Sequence, residues 1–477
     1  MAQLHGVETI ELAAGAMAVT TIPTAVIGIT GTAPGASAGS VATASTGTPL
    51  LDNRVTFSAI AAGQAGNRLM ISATEDAGKN TETTVTTDET GVIRIVMAAN
   101  TTALQLTEAV NKAAPGVMAK TESGQGTMQP FELQLSGGTD EPFPLNIPVA
   151  VTSQAQVRLL GTEGTLPQAL TDISDQRTAL TIVVRVAECQ TVAKQQPEVL
   201  NGIRALGTSL AVTSYQPRIL LATGFSESDA VGKSLETVAN KLRAVAYIDC
   251  ASGATLQEVV TRRQLYGARC ELLRPRVLIS GISGLQEYRP YSAVAAGLRA
   301  RIDYENGWWW SKSNQEIFNI QGVEQVDEFI AGEEACDANL LNMQNVSTII
   351  RHSGFRHWGN RLCSADPRWQ FESVRRTADV IEDSIQNTML NYIDRPLDKE
   401  IADDVIGTIN AYMRQLTLLK AIFGGQAWLD DELNTAESLA AGVLFINYDF
   451  GPKSPTERIT LRVRVNNNYA LEEMVTA

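Results

Sequence analysis

The segment Gly354–Ile385, GFRHWGNRLCSADPRWQFESVRRTADVIEDSI, is dense in residues that fix geometry. Trp358, the Gly359-Asn360 turn, the Asp366-Pro367 pair and Trp369 crowd into its first half. Val374, Ala378, Ile381, Ile385, Met389 and Tyr392 then recur at three- and four-residue spacing, which predicts an amphipathic helix. Arg375, Arg376, Asp379, Glu382 and Asp383 fall on its other face, which reads as solvated or salt-bridged. The segment is therefore an irregular loop or strand fastened to a helix, without a workable catalytic set, and its role is to hold shape.

Composition sets bounds on the rest. At 477 residues the chain is long enough for about three domains of ~150 residues. With 44% hydrophobic and 19% charged residues it is an ordinary globular sequence. A net charge of −14 argues against nonspecific nucleic-acid binding. Residues 1–142 hold 6 Lys/Arg against 13 Asp/Glu. The first basic residue is Arg54, so the start lacks the cationic pattern of a secretory or mitochondrial signal. Leu12–Leu51 is uncharged, but Pro23, Pro34 and Pro49 break it well short of the ~20 apolar residues a membrane span needs. Cys189, Cys250, Cys270, Cys336 and Cys363 include no CxxC pair and read as reduced thiols without a disulfide framework.

Along the chain, Val7–Leu12 reads as a short extended segment and 24–29 as a buried strand closing in a turn at 31–35. A Gly/Ala/Ser/Thr-rich stretch, 36–49, suits a flexible linker. Short strands are expected at 54–59, 68–73, 83–87, 92–97 and 131–135, with a helix at 102–114 capped by Thr101 or Thr102. From 147 to about 280 the pattern alternates. Strands at 147–152, 180–186, 218–222, 244–249 and 276–279 are rich in Val, Ile and Leu, as in a largely parallel sheet buried on both faces. A helix at 229–242, with Ser226 or Asp229 at its start, lies between them. Beyond 290 the chain reads as α+β. It has a helix at 291–304, an aromatic run Trp308-Trp309-Trp310, a long helix at 398–423 ended by Gly424-Gly425, and a strand at 442–450. After Pro455, Ile459, Leu461, Val463 and Val465 alternate with Arg458, Thr460, Arg462 and Arg464, a strand with one apolar face. Such a strand must join a sheet edge in its own chain or in another copy.

The ordered set Gly354–Arg356, Trp358–Arg361, Cys363-Ser364, Asp366-Pro367, Trp369, Phe371 and Arg375–Thr377 resembles the C-terminal domain of the phage contractile tail sheath family. His5-Gly6-Val7, followed by TAVIGITGTAPG at 24–35 and Phe143–Pro148, is similar to the N-terminal part of that family. The resemblance covers 1–35 and 143–477, and it implies a multi-domain α/β plus α+β fold. The parts would be an N-terminal arm and first strand (1–35), an inserted, outward-facing β-rich domain (36–142) and a subtilisin-like α/β domain (143–350). A C-terminal α+β domain (351–455) and a C-terminal arm strand (456–477) would complete the chain. The insert itself resembles small β-rich modules of phage structural proteins through Ala62–Asn67.

The function implied is a structural subunit that polymerises around a tail tube and contracts to drive the tube through the host envelope for genome ejection. The implied partners are further copies of the chain, the tail tube protein, the baseplate and the tail terminator. Neither nucleic acid nor a membrane is expected as a partner, and no cofactor or metal. Location in the virion after assembly in the host cytoplasm follows from the same resemblance. Inter-subunit arms would use Val7, Ile10 and Leu12 at one end and Ile459, Leu461, Val463 and Val465 at the other. Arg414 and Lys420, on the long helix, are candidate tube contacts.

Several short motifs echo catalytic or binding sites, and each departs from the pattern its chemistry needs. Gly207-Thr208-Ser209-Leu210-Ala211 echoes the nucleophile motif of subtilisin-like proteases, but the order Asp, His, Ser fails. His5 alone precedes Ser209, and Thr213 stands where a proline is usual. Gly232-Lys233-Ser234 lacks the upstream glycine of a phosphate loop, with Glu227 in its place. Gly28-Ile29-Thr30-Gly31 lacks dinucleotide-site spacing. His352, His357 and Cys363 have no fourth ligand at metal-site spacing. The Trp308–Trp310 run favours packing or a subunit contact over base or sugar stacking. A non-contractile structural or adhesive protein and an α/β hydrolase remain the alternative classes.

Overall fold

The structure is a computed structural model that describes residues 18–76, 82–88, 91–281 and 284–475. The chain divides into two compact units: Met1–Thr30, Ala169–Ile182 and Leu206–Ala477 form the first, and Gly31–Gln168 with Val183–Ala205 form the second. The arm residues Val7, Ile10 and Leu12 lie outside the described residues.

In the first unit, buried strands run in the order Phe355–Trp358, Val346–Arg351, Cys270–Leu273, Val245–Asp249, Ile219–Leu221 and Ile27–Thr32. The pairs are parallel except the first, which is antiparallel. Helices Asp229–Leu242 and Ser292–Glu305 pack on this sheet, which accounts for the continuous apolar runs of its central strands.

Two features of this region differ from the sequence expectation. The strand expected at 276–279 is Val277–Ser280, and it belongs to a separate antiparallel sheet with Gln286–Arg289 and Gly322–Val323. Its place in the parallel sheet is taken by Cys270–Leu273, whose Glu271 disguised it. The start of the Asp229–Leu242 helix also differs. Ser228 occupies the cap position without a side-chain bond, and Ser226 Oγ donates to Asp249 Oδ2 at 2.8 Å.

A second layer comprises helices Glu372–Met389 and Lys399–Leu418 and the hairpin Ile422–Leu429 with Ile446–Pro452. Asp398 caps the second helix through Ile401 N–H at 2.8 Å. That helix stops at Leu418, short of the expected 423, because Lys420 adopts a left-handed φ of 61° and the chain turns into the hairpin. Gly424 and Gly425 are strand residues and not the helix stop. A Cβ on Gly425 would lie 2.9 Å from Met413 Sδ, so the glycine permits close hairpin-to-helix contact. The strand expected at 442–450 begins at Ile446. Val19, Ile22, Ile381, Ile409, Met413 and Ile422 share the apolar core of this layer.

The second unit contains a three-stranded antiparallel sheet (Val41–Thr46, Val55–Ala62, Val117–Thr121) and a four-stranded sheet (Thr84–Thr87, Ile93–Met97, Met70–Glu75, Phe131–Gln134). Phe57, Ile71, Ile93, Ile95, Leu106 and Val110 share its core. Helix Ala103–Ala113 starts with a reciprocal capping box between Thr102 and Gln105. The presumed linker 36–49 instead contains the strand Val41–Thr46. Its bulged register against Val55–Ala62 lets small residues pair without contributing much apolar volume.

Candidate functional site: an ionic joint and the chain ends

The loop ahead of the Glu372–Met389 helix is stitched to the parallel sheet by its backbone. Cys363 N–H donates to the Cys270 carbonyl at 2.8 Å, Leu362 N–H to Gln370 at 2.7 Å and Glu372 N–H to Asn360 at 3.0 Å. Gly359 has φ 149°, and a Cβ there would lie 2.3 Å from Ser347 Oγ, so only glycine allows this approach. These bonds set the first turn of the helix over the sheet. Its charged face is not solvated, as the periodicity alone allowed, but is mostly buried and paired.

Each turn of that face meets an opposite charge. Glu372 accepts from Lys312 Nζ at 2.6 Å and from Tyr247 Oη at 2.5 Å. Arg376 forks onto Asp303 at 2.6 and 2.7 Å and also donates to the Thr24 carbonyl at 2.9 Å. Asp379 receives the Arg269 fork at 2.7 and 2.8 Å, and Asp383 binds both Arg218 and Arg243. Lys312, fully buried, also reaches Glu271, whose Oε1 takes Ser347 Oγ at 2.7 Å and lies 3.3 Å from His357 Nε2. Arg299 joins Asp303 at 2.7 Å. Lys312, Arg299 and Arg376 therefore balance Glu271, Glu372 and Asp303, leaving a neutral, desolvated cluster.

Burial would raise the Glu271 carboxyl, but the Lys312 ammonium and the His357 contact outweigh it and hold the group below its usual range. Burial lowers His357 below its ordinary value, with the neighbouring Lys312 charge adding to the effect against the pull of Glu271. The sequence pattern had not singled out Glu271, Lys312 or Asp303. The available signal was a lone carboxylate inside the apolar Cys270–Leu273 run, since a buried charge requires a partner.

The chemical alternatives meet specific obstacles. Ser209 is buried and its Oγ donates to the Leu206 carbonyl at 2.7 Å. Gly232 lies within a helix, where a Cβ would be 2.3 Å from Tyr266 Oη, and Lys233 pairs with Glu236 at 2.9 Å. Gly28 sits where a Cβ would be 2.8 Å from Pro217 Cβ, so a packing role accounts for it. His357 is buried with Nδ1 2.6 Å from Tyr291 Oη, whereas His352 is exposed. The cysteines are free thiols, all buried except the half-buried Cys189. Trp308 and Trp309 pack edge to face at 4.7 Å. Trp310 is half exposed in a cleft of about 910 Å³ shared with Lys420 and Glu457.

At the C-terminal end, Ile459, Leu461, Val463 and Val465 are 77%, 88%, 92% and 91% exposed. Among the described residues, 459–465 has no ladder partner in its own chain. The base of this segment is held by Arg361, whose guanidinium bonds Glu457 at 2.8 and 2.5 Å. Arg414 and Lys420 are both exposed, on the Lys399–Leu418 helix and just after it. Among the described residues, no helix is long and apolar enough to cross a membrane.

Comparison with known proteins identifies the family. Residues 198–362 match the phage tail sheath protein central domain and residues 364–466 the phage tail sheath C-terminal domain. The boundary between them falls inside the stitched loop, so the ionic joint links the two. The chain is 35% identical to the tail sheath protein of Escherichia phage P2 over 71% of this chain and 89% of that one. It is 31% identical to the tail sheath protein of Burkholderia phage BcepMu over 98% of both. Among solved structures, a chain of the anti-feeding prophage baseplate in its contracted state has the same fold. Its TM-score is 0.59 at 20% identity, covering 68% of this chain and 91% of that one.

Proposed function

This chain belongs to the phage tail sheath family, and from that premise we propose how it works as a structural subunit of a contractile tail sheath in the virion. Copies stack through a heterologous interface that does not close, which generates a helical tube around the tail tube protein. Contraction then drives the inner tube through the host envelope for genome ejection. Baseplate and terminator proteins bind the two ends, and assembly takes place in the host cytoplasm. The work is mechanical, with no catalytic step.

The observation that carries this reading is the bare, alternating 459–465 segment. Fully burying an aliphatic side chain stabilises by about 1.5–3 kcal/mol, so four of them left in water supply a strong drive toward a sheet edge of another copy. Val7, Ile10 and Leu12 serve the same purpose at the other end. The α/β domain is subtilisin-like, and the acidic 36–142 module is an insert that points outward, where bulk does not obstruct stacking. Arg414 and Lys420 face the tube.

Electron microscopy of purified protein tests the reading. The full chain is expected to form long hollow or striated tubes, and the chain truncated after Pro455 to stay dispersed. Normal polymers from the truncated chain would eliminate the C-terminal arm proposal. Monomers of the full chain under all conditions would overturn the sheath reading itself.

A further inference from the structure

The core of the helical layer stays open at one end. Ile385, Tyr392, Val405, Ile409, Ile446 and Tyr448 contribute to the core that also holds Val19 and Ile22, yet they line a groove of about 780 Å³. Ile393, 64% exposed, and Leu397 extend its apolar lining to the rim, where the Arg395 guanidinium stacks over Tyr392 at 5.0 Å beside Asp394. Ile385, Val405 and Ile409 are themselves buried, so the apolar surface left in water lies at the rim, above all at Ile393, at a cost proportional to the area exposed.

The described chain begins next to this opening. Ala18–Pro23 border the same hollow as Asn387, Thr388 and Asn391, and Ile22 N–H donates to Ser384 Oγ at 3.1 Å. Asn391 immediately precedes Tyr392 of the groove. The preceding seventeen residues contain Leu4, Val7, Ile10 and Leu12, with Glu8 and Glu11 and no lysine or arginine. Leu12 is six residues from Ala18, a reach of about 20 Å when extended. Val19 and Ile22 already occupy one side of this core, so the upstream apolar residues would continue an existing contact. Glu8 and Glu11 make the segment acidic, and the rim offers the Arg395 cation, with Asp394 beside it.

We propose that in the dispersed subunit residues 1–17 fold back into the groove of their own chain, seating Val7, Ile10 and Leu12. The arm is thereby withheld until a neighbouring copy displaces it. The proposal rests on the role of this arm in joining copies. A short tether makes the contact intramolecular, with an effective concentration in the millimolar range, so the self-docked state outcompetes contact between copies in dilute solution.

Amide hydrogen exchange on the full chain, kept dispersed at low micromolar concentration, tests this. Residues 5–12 should exchange at least tenfold more slowly than an unstructured chain, independently of protein concentration. Ile393→Glu at the exposed rim and Leu12→Glu in the segment should each restore exchange to within twofold of the free rate. Free-rate exchange in the unsubstituted chain would overturn the proposal. Protection insensitive to Ile393→Glu would exclude the groove. Protection that grows with concentration would assign the contact to a second copy and overturn self-docking. Microscopy of tubes at high concentration tests the sheath reading separately, so the two failures are distinguishable.

Discussion

Replacing Lys312 by methionine probes the ionic joint directly. The ammonium sits fully buried between Glu271 and Glu372, in a cluster of three cations and three carboxylates. Methionine fills a similar volume and removes one positive charge, leaving a net negative charge with no route to solvent. Breaking a buried pair from one side costs about 3–5 kcal/mol, a large part of a typical stability of about 5–15 kcal/mol. At about 2–4 °C per kcal/mol, the midpoint of the first unit should fall by about 6–20 °C in calorimetry of dispersed subunits. Lys312→Met combined with Glu372→Gln restores neutrality, and should recover part of the loss although the Tyr247 bond is weakened. A single variant within about 1 kcal/mol of the parent, near the scatter of neutral surface substitutions, would refute the view that this cluster holds the helix to the sheet. A double variant no better than the single would refute the charge-balance argument.

Other outcomes follow from the same geometry. Gly297→Ala should destabilise despite a helix-propensity gain of about 1 kcal/mol, because the new Cβ would lie 2.5 Å from the Ile173 carbonyl oxygen. Thermal denaturation should show a net loss of about 1–3 kcal/mol from overpacking. His357, whose pKa burial lowers below 6.5, stays neutral in the fold while the unfolded chain takes up a proton. Its stabilising contribution is present above pH 6.5 and is lost as pH falls, by at most about 1.4 kcal/mol per pH unit. His357→Gln should flatten the stability profile between pH 6.5 and 5.5, and an unchanged slope would count against this. Arg414→Glu with Lys420→Glu should leave subunit stability within about 0.5 kcal/mol, as for exposed substitutions, while lowering co-sedimentation of sheath with tube. Unchanged co-sedimentation would remove both residues from the tube face.

Much of the fold was readable where a single segment contains its own explanation. The helix Asp229–Leu242 follows from the spacing of Leu235, Val238, Ala239 and Leu242, and Thr102 caps its helix through a partner three residues away. The missed elements depend on distant residues. Val41–Thr46 is too small and polar to announce a strand, and becomes one by pairing with Val55–Ala62. Cys270–Leu273 was hidden by Glu271, whose charge is balanced by Lys312 far along the chain and whose carboxylate also contacts the neutral His357. The buried role of Arg376 and Asp379 depends in the same way on Asp303 and Arg269. For 459–465 the alternation was visible, but among the described residues the segment has no ladder partner.

The sequestered thiols bear on chemical durability. Burial pushes Cys250 and Cys363 up to about 12 and raises Cys270 further, so near neutrality the reactive thiolate is almost absent. With so little thiolate, these sulfurs resist oxidation, and covalent cross-links through them are disfavoured. Such links would jam subunits that must slide past one another. Oxidative ageing of the protein should therefore begin at the half-buried Cys189.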